Sequence, residues 1–192
     1  MWPFHLECYF GTMLKQTAFS ILLSAALAFC SGSRPDSVSP EIKKELRKAP
    51  YTLMVSYSNE CPFCIRYTAT IREIRKSLPE NWNFRLIKVL PEDYWDFDGI
   101  HDFSGEIIHD SAALWCRQFG IKVYPEALII DSAAVILYKG AIDDRAHETG
   151  MIKTVKTRDY LTEAISKIKQ GKAVTKPFPN AKGCYIEFYH EK

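Results

Sequence analysis

Two cysteines stand three positions apart in Cys61-Pro62-Phe63-Cys64, directly after the apolar run 51–57 (YTLMVSY) and at the head of an amphipathic stretch. Thiols at this spacing, where a strand gives way to a helix, suit reversible dithiol–disulfide chemistry. The helix end offers partial positive charge and unpaired backbone N–H groups, which favour a thiolate on Cys61. Cys64 falls one turn further along, near enough to close a small disulfide ring. Half of a zinc site would share this spacing, but closing such a site needs a second close pair. Cys116 and Cys184 are singletons far apart in the chain, so the redox reading leads.

The compartment is read from the N-terminus. Residues 19–29 (FSILLSAALAF) form a short apolar run preceded by Lys15 and followed by polar, turn-prone residues. The run is too short for a comfortable membrane span and is flanked like an export signal. A start at Met13 rather than Met1 gives the short, charged head such signals have. Residues 1–12 are then a misassigned upstream start or an extension. Ala26-Leu27-Ala28 would release a soluble protein before Phe29, whereas Leu27-Ala28-Phe29-Cys30 resembles a lipobox that would leave lipid on Cys30. The lipid tether is preferred, with an uncleaved signal anchor as a third reading. All three place the protein in the periplasm or cell envelope, where disulfides persist. Of six cysteines, Cys8 and Cys30 belong to this processed region and four remain beyond it.

The chain divides into an export segment and tether (1–36), one domain (37–172) and a tail packing on it (173–192). Of 192 residues 47% are hydrophobic, enough for a real core, and the net charge is +2 with both signs interspersed. No basic stripe with interleaved aromatics speaks for nucleic acid. The pattern predicts a helix at 40–48, with Ser39 as cap and Pro40 at its first position. A central strand at 51–57 follows, covered on both faces. Ile65, Thr68, Ala69, Ile71, Arg72, Ile74, Arg75 and Leu78 then give a helix with one apolar face, ended by Pro79. A strand at 83–90 precedes an aromatic, acidic insert at 91–108 without a clean period. Asp110 caps a helix running to Phe119, stopped by Gly120. Strands at 127–131 and 135–138 form a hairpin, and a helix at 158–170 ends at Gly171. These elements predict an α/β fold with a mixed sheet flanked by helices.

With those elements in order, the chain resembles the thioredoxin superfamily. The resemblance is carried by Cys61-Pro62-Phe63-Cys64, by Val123-Tyr124-Pro125-Glu126-Ala127-Leu128 and by Tyr138-Lys139-Gly140. It implies a cis proline at Pro125 facing the cysteines, with the backbone of Tyr124 open to pair with an extended thiol substrate. The 61 positions from Cys64 to Pro125 are similar to the redoxin branch (alkyl hydroperoxide reductase and thiol-specific antioxidant relatives, and envelope proteins of the TlpA and ResA type), which carries an insertion there. The ending YKGAIDD…YLTEAI…GKAV…GCYI resembles exported redoxin-domain proteins. In thioredoxins a buried aspartate stands six residues before the first cysteine and a tryptophan just before it; here those positions are Val55 and Glu60.

The resemblance implies an exported thiol–disulfide oxidoreductase acting on protein thiols or disulfides together with an upstream redox partner, without cofactor or metal. Cys61 is the candidate nucleophile and Cys64 the resolving thiol. Pro62 fixes the loop, Phe63 contacts a partner or packs on the domain, and Tyr124 and Pro125 hold the substrate. One alternative is a peroxiredoxin-like thiol peroxidase using Cys61. Ser58 fits the hydroxyl position of that motif, but Met54 replaces its proline, and Arg145 or Arg117 would have to supply the arginine. Another is a non-catalytic binding or metal-delivery module, although His101, His109 and His147 read as solvated loop residues. Cys116 reads as a core residue. For Cys184 a structural disulfide or an unpaired thiol is the leading reading, with pairing to Cys116, stapling of the tail and exchange with Cys61–Cys64 as a third redox thiol all open.

Overall fold

In the computed structural model the described residues are 38–89, 103, 106–147 and 150–188. The expected export segment and tether (1–36), with Cys8 and Cys30, His101 and most of the expected insert 91–108 lie outside them. Among the described residues no helix is long and apolar enough to cross a membrane.

Strand β1 (Tyr51–Ser56) is buried at five successive positions and β5 (Ala127–Asp131) at four. Successive strand residues face opposite sides, so both faces of the sheet must be covered. Strand β1 runs parallel to β2 (Trp82–Lys88), with Val55 opposite Leu86, and antiparallel to β5, with Val55 opposite Ala127. Strand β3 (Ile107–His109) extends the sheet parallel to β2, and β6 (Ile136–Gly140) pairs antiparallel with β5. The order β3-β2-β1-β5-β6, with β1 central, is a thioredoxin-like mixed sheet. The β5–β6 turn is held by Asp131, whose Oδ1 accepts from the N–H groups of Ala133 (2.9 Å) and Val135 (2.8 Å).

The helices follow their capping chemistry. Helix α1 (Pro40–Leu46) starts where Ser39 Oγ accepts from Ile42 N–H at 3.3 Å, and ends two residues before the expected 48. Helix α2 (Pro62–Ser77) buries Cys64, Tyr67, Thr68, Ile71 and Ile74, the spacing of a single helical face. That face is rotated from the expected one: Ile65 is 58% exposed. The sequence offers apolar residues on two adjoining faces, and the sheet selects the one bearing Cys64 and Tyr67. Helix α3 (Leu114–Phe119) is shorter than expected from Asp110, because 110–113 form a turn with Ala113 at φ 53°. Asp110 still caps it from outside, accepting from Trp115 N–H at 3.1 Å and Cys116 N–H at 3.0 Å. Gly120, at φ 62°, ends it. Helix α4 (Tyr160–Lys169) is capped by Asp159 and buries Leu161, Ala164, Ile165 and Ile168.

Two features go beyond the sequence reading. Strand β3 was expected to belong to the irregular insert; three residues show no periodicity, and only pairing with β2 reveals them. From that insert Phe103 is fully buried, its ring 5.7 Å from that of Phe84. The second feature is a two-stranded sheet of β4 (Val123–Tyr124) and β7 (Cys184–Tyr185), paired antiparallel with Tyr124 opposite Cys184.

The tail crosses edge strand β6 before it reaches β4. Ala141 N–H donates to Pro179 O at 2.9 Å. Gly140 lies so close to this segment that a Cβ would sit 2.0 Å from Pro179 O, and its φ of +151° disfavours any other residue. Replacing Gly140→Ala should therefore lower stability by roughly 1–3 kcal/mol, read as a fall in the urea midpoint at unchanged slope. An unchanged midpoint would show that the tail does not approach this strand.

Candidate active site

The site forms where β1 ends and α2 begins. Cys61 is the N-cap residue of α2, Pro62 is its exposed first residue and Ile65 N–H bonds back to Cys61 O at 3.1 Å. Proline suits this position because its missing donor would have had no partner. Cys61 therefore stands at the positive end of the helix dipole, although its side chain makes no capping hydrogen bond. Phe63 is buried, so its ring packs on the domain.

Segment 123–126 is held against this end of β1 by one hydroxyl. Ser56 Oγ donates to Val123 O at 2.7 Å and accepts from Glu126 N–H at 2.8 Å. Between those two anchors lies the Tyr124–Pro125 peptide, which is cis. Cys61 Sγ sits 3.3 Å from Tyr124 O. The structure thus brings Cys61, Cys64, Tyr124 and Pro125 to one place.

Cys64 is fully buried and carries a free thiol. Its sulfur accepts from Ser58 N–H at 3.5 Å, and Thr68 Oγ1 donates to its carbonyl at 3.0 Å. Tyr57 OH shares a 2.8 Å hydrogen bond with Thr68 Oγ1. Burial pushes the Cys64 thiol up to about 12, and only the Ser58 N–H opposes it. Val55, six residues before Cys61, is 1% exposed and offers no proton acceptor.

The sulfur bonded to Cys61 is that of Cys184, with the Cα atoms 6.0 Å apart. Of the three expectations for Cys184, pairing with Cys116 is overturned. Cys116 is a free, fully buried thiol in α3, pushed up by burial and by the neighbouring Asp110 charge. Cys184 instead reaches Cys61 through the β4–β7 pairing. Gly183 makes this approach feasible, since a Cβ there would lie 1.8 Å from Tyr124 O. The sequence displays the Gly183-Cys184 pair, but nothing local says which strand it would join.

The other candidate residues are engaged elsewhere. Arg145 binds Asp143 (2.7 Å) and Thr70 (2.8 Å) and lies over the Tyr67 ring, while Tyr67 OH donates to Asp143. Arg117 lies over the Phe188 ring at 5.3 Å. Asp144 accepts from the Thr157 hydroxyl and from the N–H groups of Arg158 and Thr157, which holds its carboxyl below the usual range. The Asp143-Asp144 pair therefore braces α2 and the approach to α4. Met54 is fully buried in β1, and Ser58 Oγ accepts from Glu60 N–H at 3.2 Å. Among the described residues no cluster of three His, Cys, Asp or Glu side chains could hold a metal. A cleft of about 400 Å³ beside Glu45 and Arg85, and one of about 560 Å³ beside Asp143 and Tyr160, contain no cysteine.

No protein-family model and no curated protein sequence matches the chain. Solved structures do. A hypothetical protein from Sinorhizobium meliloti 1021 is 17% identical with a TM-score of 0.62, covering 77% of this chain and 85% of its own. An uncharacterized conserved protein from Geobacillus kaustophilus is 16% identical with a TM-score of 0.62, covering 78% of this chain and 82% of its own. A thioredoxin-like protein in its oxidized form is 16% identical with a TM-score of 0.49, covering 73% and 97%. The first two match the arrangement of the domain described above.

The burial of Cys64 sets its reactivity. With Cys61, Cys116 and Cys184 replaced by serine, alkylation of Cys64 should be slow at about pH 8 and still rising near pH 11, because its thiolate forms only towards about 12. A rate that levels off near pH 9 would mean that water reaches the sulfur.

Proposed function

We propose that this chain is an exported thiol–disulfide oxidoreductase that acts on cysteine-bearing segments of other exported proteins. The observation that carries the reading is the seating of a cysteine-bearing strand, β7, across Cys61, with a second thiol one turn along the helix. Cys61 lies at a helix N-terminus, whose dipole favours a thiolate, and Val123–Tyr124, paired here with β7, is the backbone that an extended client would pair with in its place.

In the reducing direction, the Cys61 thiolate attacks one sulfur of a client disulfide. A mixed disulfide forms and the other client sulfur leaves as a thiolate. Cys64 then gives up its proton and attacks Cys61 Sγ. This closes Cys61–Cys64 and releases the second client thiolate, which takes the proton. An upstream exported dithiol carrier reduces the pair again, and the reverse sequence oxidises clients. Because Cys64 is buried without a carboxylate neighbour at position 55, the resolving step is the slow one. Neither a cofactor nor a metal enters these steps. The redoxin-type kinship, the division at 36 and 172, and a lipid tether at Cys30 in the cell envelope belong to the same reading.

The test is a redox titration of the full chain carrying Cys184→Ser and Cys116→Ser in glutathione buffers. The expected result is one reversible two-electron transition that joins Cys61 to Cys64. A pair that never closes, or stays locked, overturns the reading. Peroxide-dependent sulfenic acid on Cys61 would then favour the peroxidase, and stoichiometric copper or zinc on the reduced protein the binding module.

A further inference from the structure

The tail poses a question that the client chemistry leaves open. Cys61 is bonded to a cysteine of its own chain, through a strand that pairs with the backbone offered to clients. We infer that residues 183–188 are a tethered substrate: Cys184 is a third redox thiol that occupies the client groove and exchanges with Cys64 for the sulfur of Cys61. This rests on the oxidoreductase reading and adds to it the kind of segment the groove accepts.

Four observations carry the inference. Tyr124 stands opposite Cys184 and Val123 opposite Tyr185 in an antiparallel ladder, which Ile186 N–H extends by donating to Lys122 O at 2.9 Å. A tail stapled anywhere else would not need that register. Next, Gly183 backbone lies against the Tyr124–Pro125 peptide so closely that a side chain is excluded. The residue before the docked cysteine must therefore be glycine. Third, the bond is made to the cysteine that has an alternative partner one turn away, while the solitary Cys116 stays free. A permanent staple made with Cys61 would idle the thiol pair.

The fourth observation is the way the tail is held. Upstream it is fixed at Pro179 by Ala141 N–H. Downstream, Ile186 is buried and Phe188 lies under Arg117. Residues 180–182 alone span from the upstream anchor to Gly183, so Cys184 is presented to Cys61 at high effective concentration. Tyr185 between these anchors is 83% exposed, as expected of a strand residue facing away from the groove.

The exchange is balanced without an external oxidant. Cys64 loses its proton and attacks Cys61 Sγ, the Cys61–Cys184 bond breaks, Cys61–Cys64 forms, and Cys184 leaves as a thiolate that takes up the proton. With Cys61 bonded to Cys64, the strand holds no covalent grip and the groove opens to a client. The segment that competes for it is an extended peptide with glycine immediately before its cysteine. Because burial keeps Cys64 protonated at neutral pH, its attack on Cys61 is slow there and the exchange quickens as the pH rises.

The test maps disulfides in the full oxidised chain after acid quenching and thiol blocking. The unaltered chain should contain both Cys61–Cys184 and Cys61–Cys64, reaching one ratio from either side. Gly183→Ala should shift that ratio towards Cys61–Cys64 by about tenfold or more. In the Cys184→Ser chain an activated Gly-Cys-Tyr-Ile peptide should form a mixed disulfide with Cys61 about tenfold faster than Ala-Cys-Tyr-Ile, a comparison that needs no change at Gly183. Absence of Cys61–Cys184, a bond that never exchanges, or equal rates for the two peptides would each overturn the inference. If Cys61–Cys64 closes reversibly in the Cys184→Ser chain while any of these occurs, only the tethered substrate falls. If it does not close there, the oxidoreductase reading falls with it.

Discussion

One serine hydroxyl holds the site together. Ser56 Oγ, at the end of the central strand, donates a hydrogen bond to Val123 O and accepts one from Glu126 N–H, at 2.7 and 2.8 Å. A hydroxyl can serve both partners at once, and an apolar residue here would leave two backbone groups unsatisfied in a buried place. Through this clamp β1 fixes the position of the Tyr124 carbonyl against Cys61, and so decides where a strand can pair beside the sulfur. Tight packing around β1, buried on both faces, transmits that position to α2.

The two thiols near the helix start are placed in opposite environments. Cys61 sits at the helix end, where the dipole and free amides support negative charge. Cys64 sits inside, where burial pushes its thiol to about 12. In the proposed mechanism this contrast separates attack from resolution and leaves a mixed disulfide time to meet a second sulfur, from a client or from the tail. A carboxylate in place of Val55 would ease the resolving step by taking the Cys64 proton, and its absence gives the tail its opportunity.

Much of the fold was legible because its elements announce themselves. The continuous apolar run at 51–57, the Ser39-Pro40 helix start, the Gly120 and Gly171 stops and the Asp131 turn each express local chemistry that survives in the folded chain. What was illegible depends on distant pairing. Strand β3 is three residues long and has no pattern of its own. The rotation of α2 follows from which of two apolar faces the sheet accepts, so Ile65 was wrongly placed inside. At the site, Cys61, Cys64, Tyr124 and Pro125 could be picked out by motif, whereas Ser56 reads as one more small strand residue. Cys184 was visible as an open question, since a two-residue strand joins a partner about sixty positions away in sequence for reasons no local window contains.

The central claim is that Cys61 is the common sulfur of two alternative disulfides. The most direct measurement is an equilibrium titration of the unaltered chain against glutathione, with each cysteine's bonding partner identified by mass at every ratio. The account predicts that each intramolecular disulfide contains Cys61, shared between Cys64 and Cys184, and that Cys116 stays a thiol throughout. A dominant Cys64–Cys184 or Cys116–Cys184 bond, or a Cys61 that stays reduced while other cysteines pair, would contradict it.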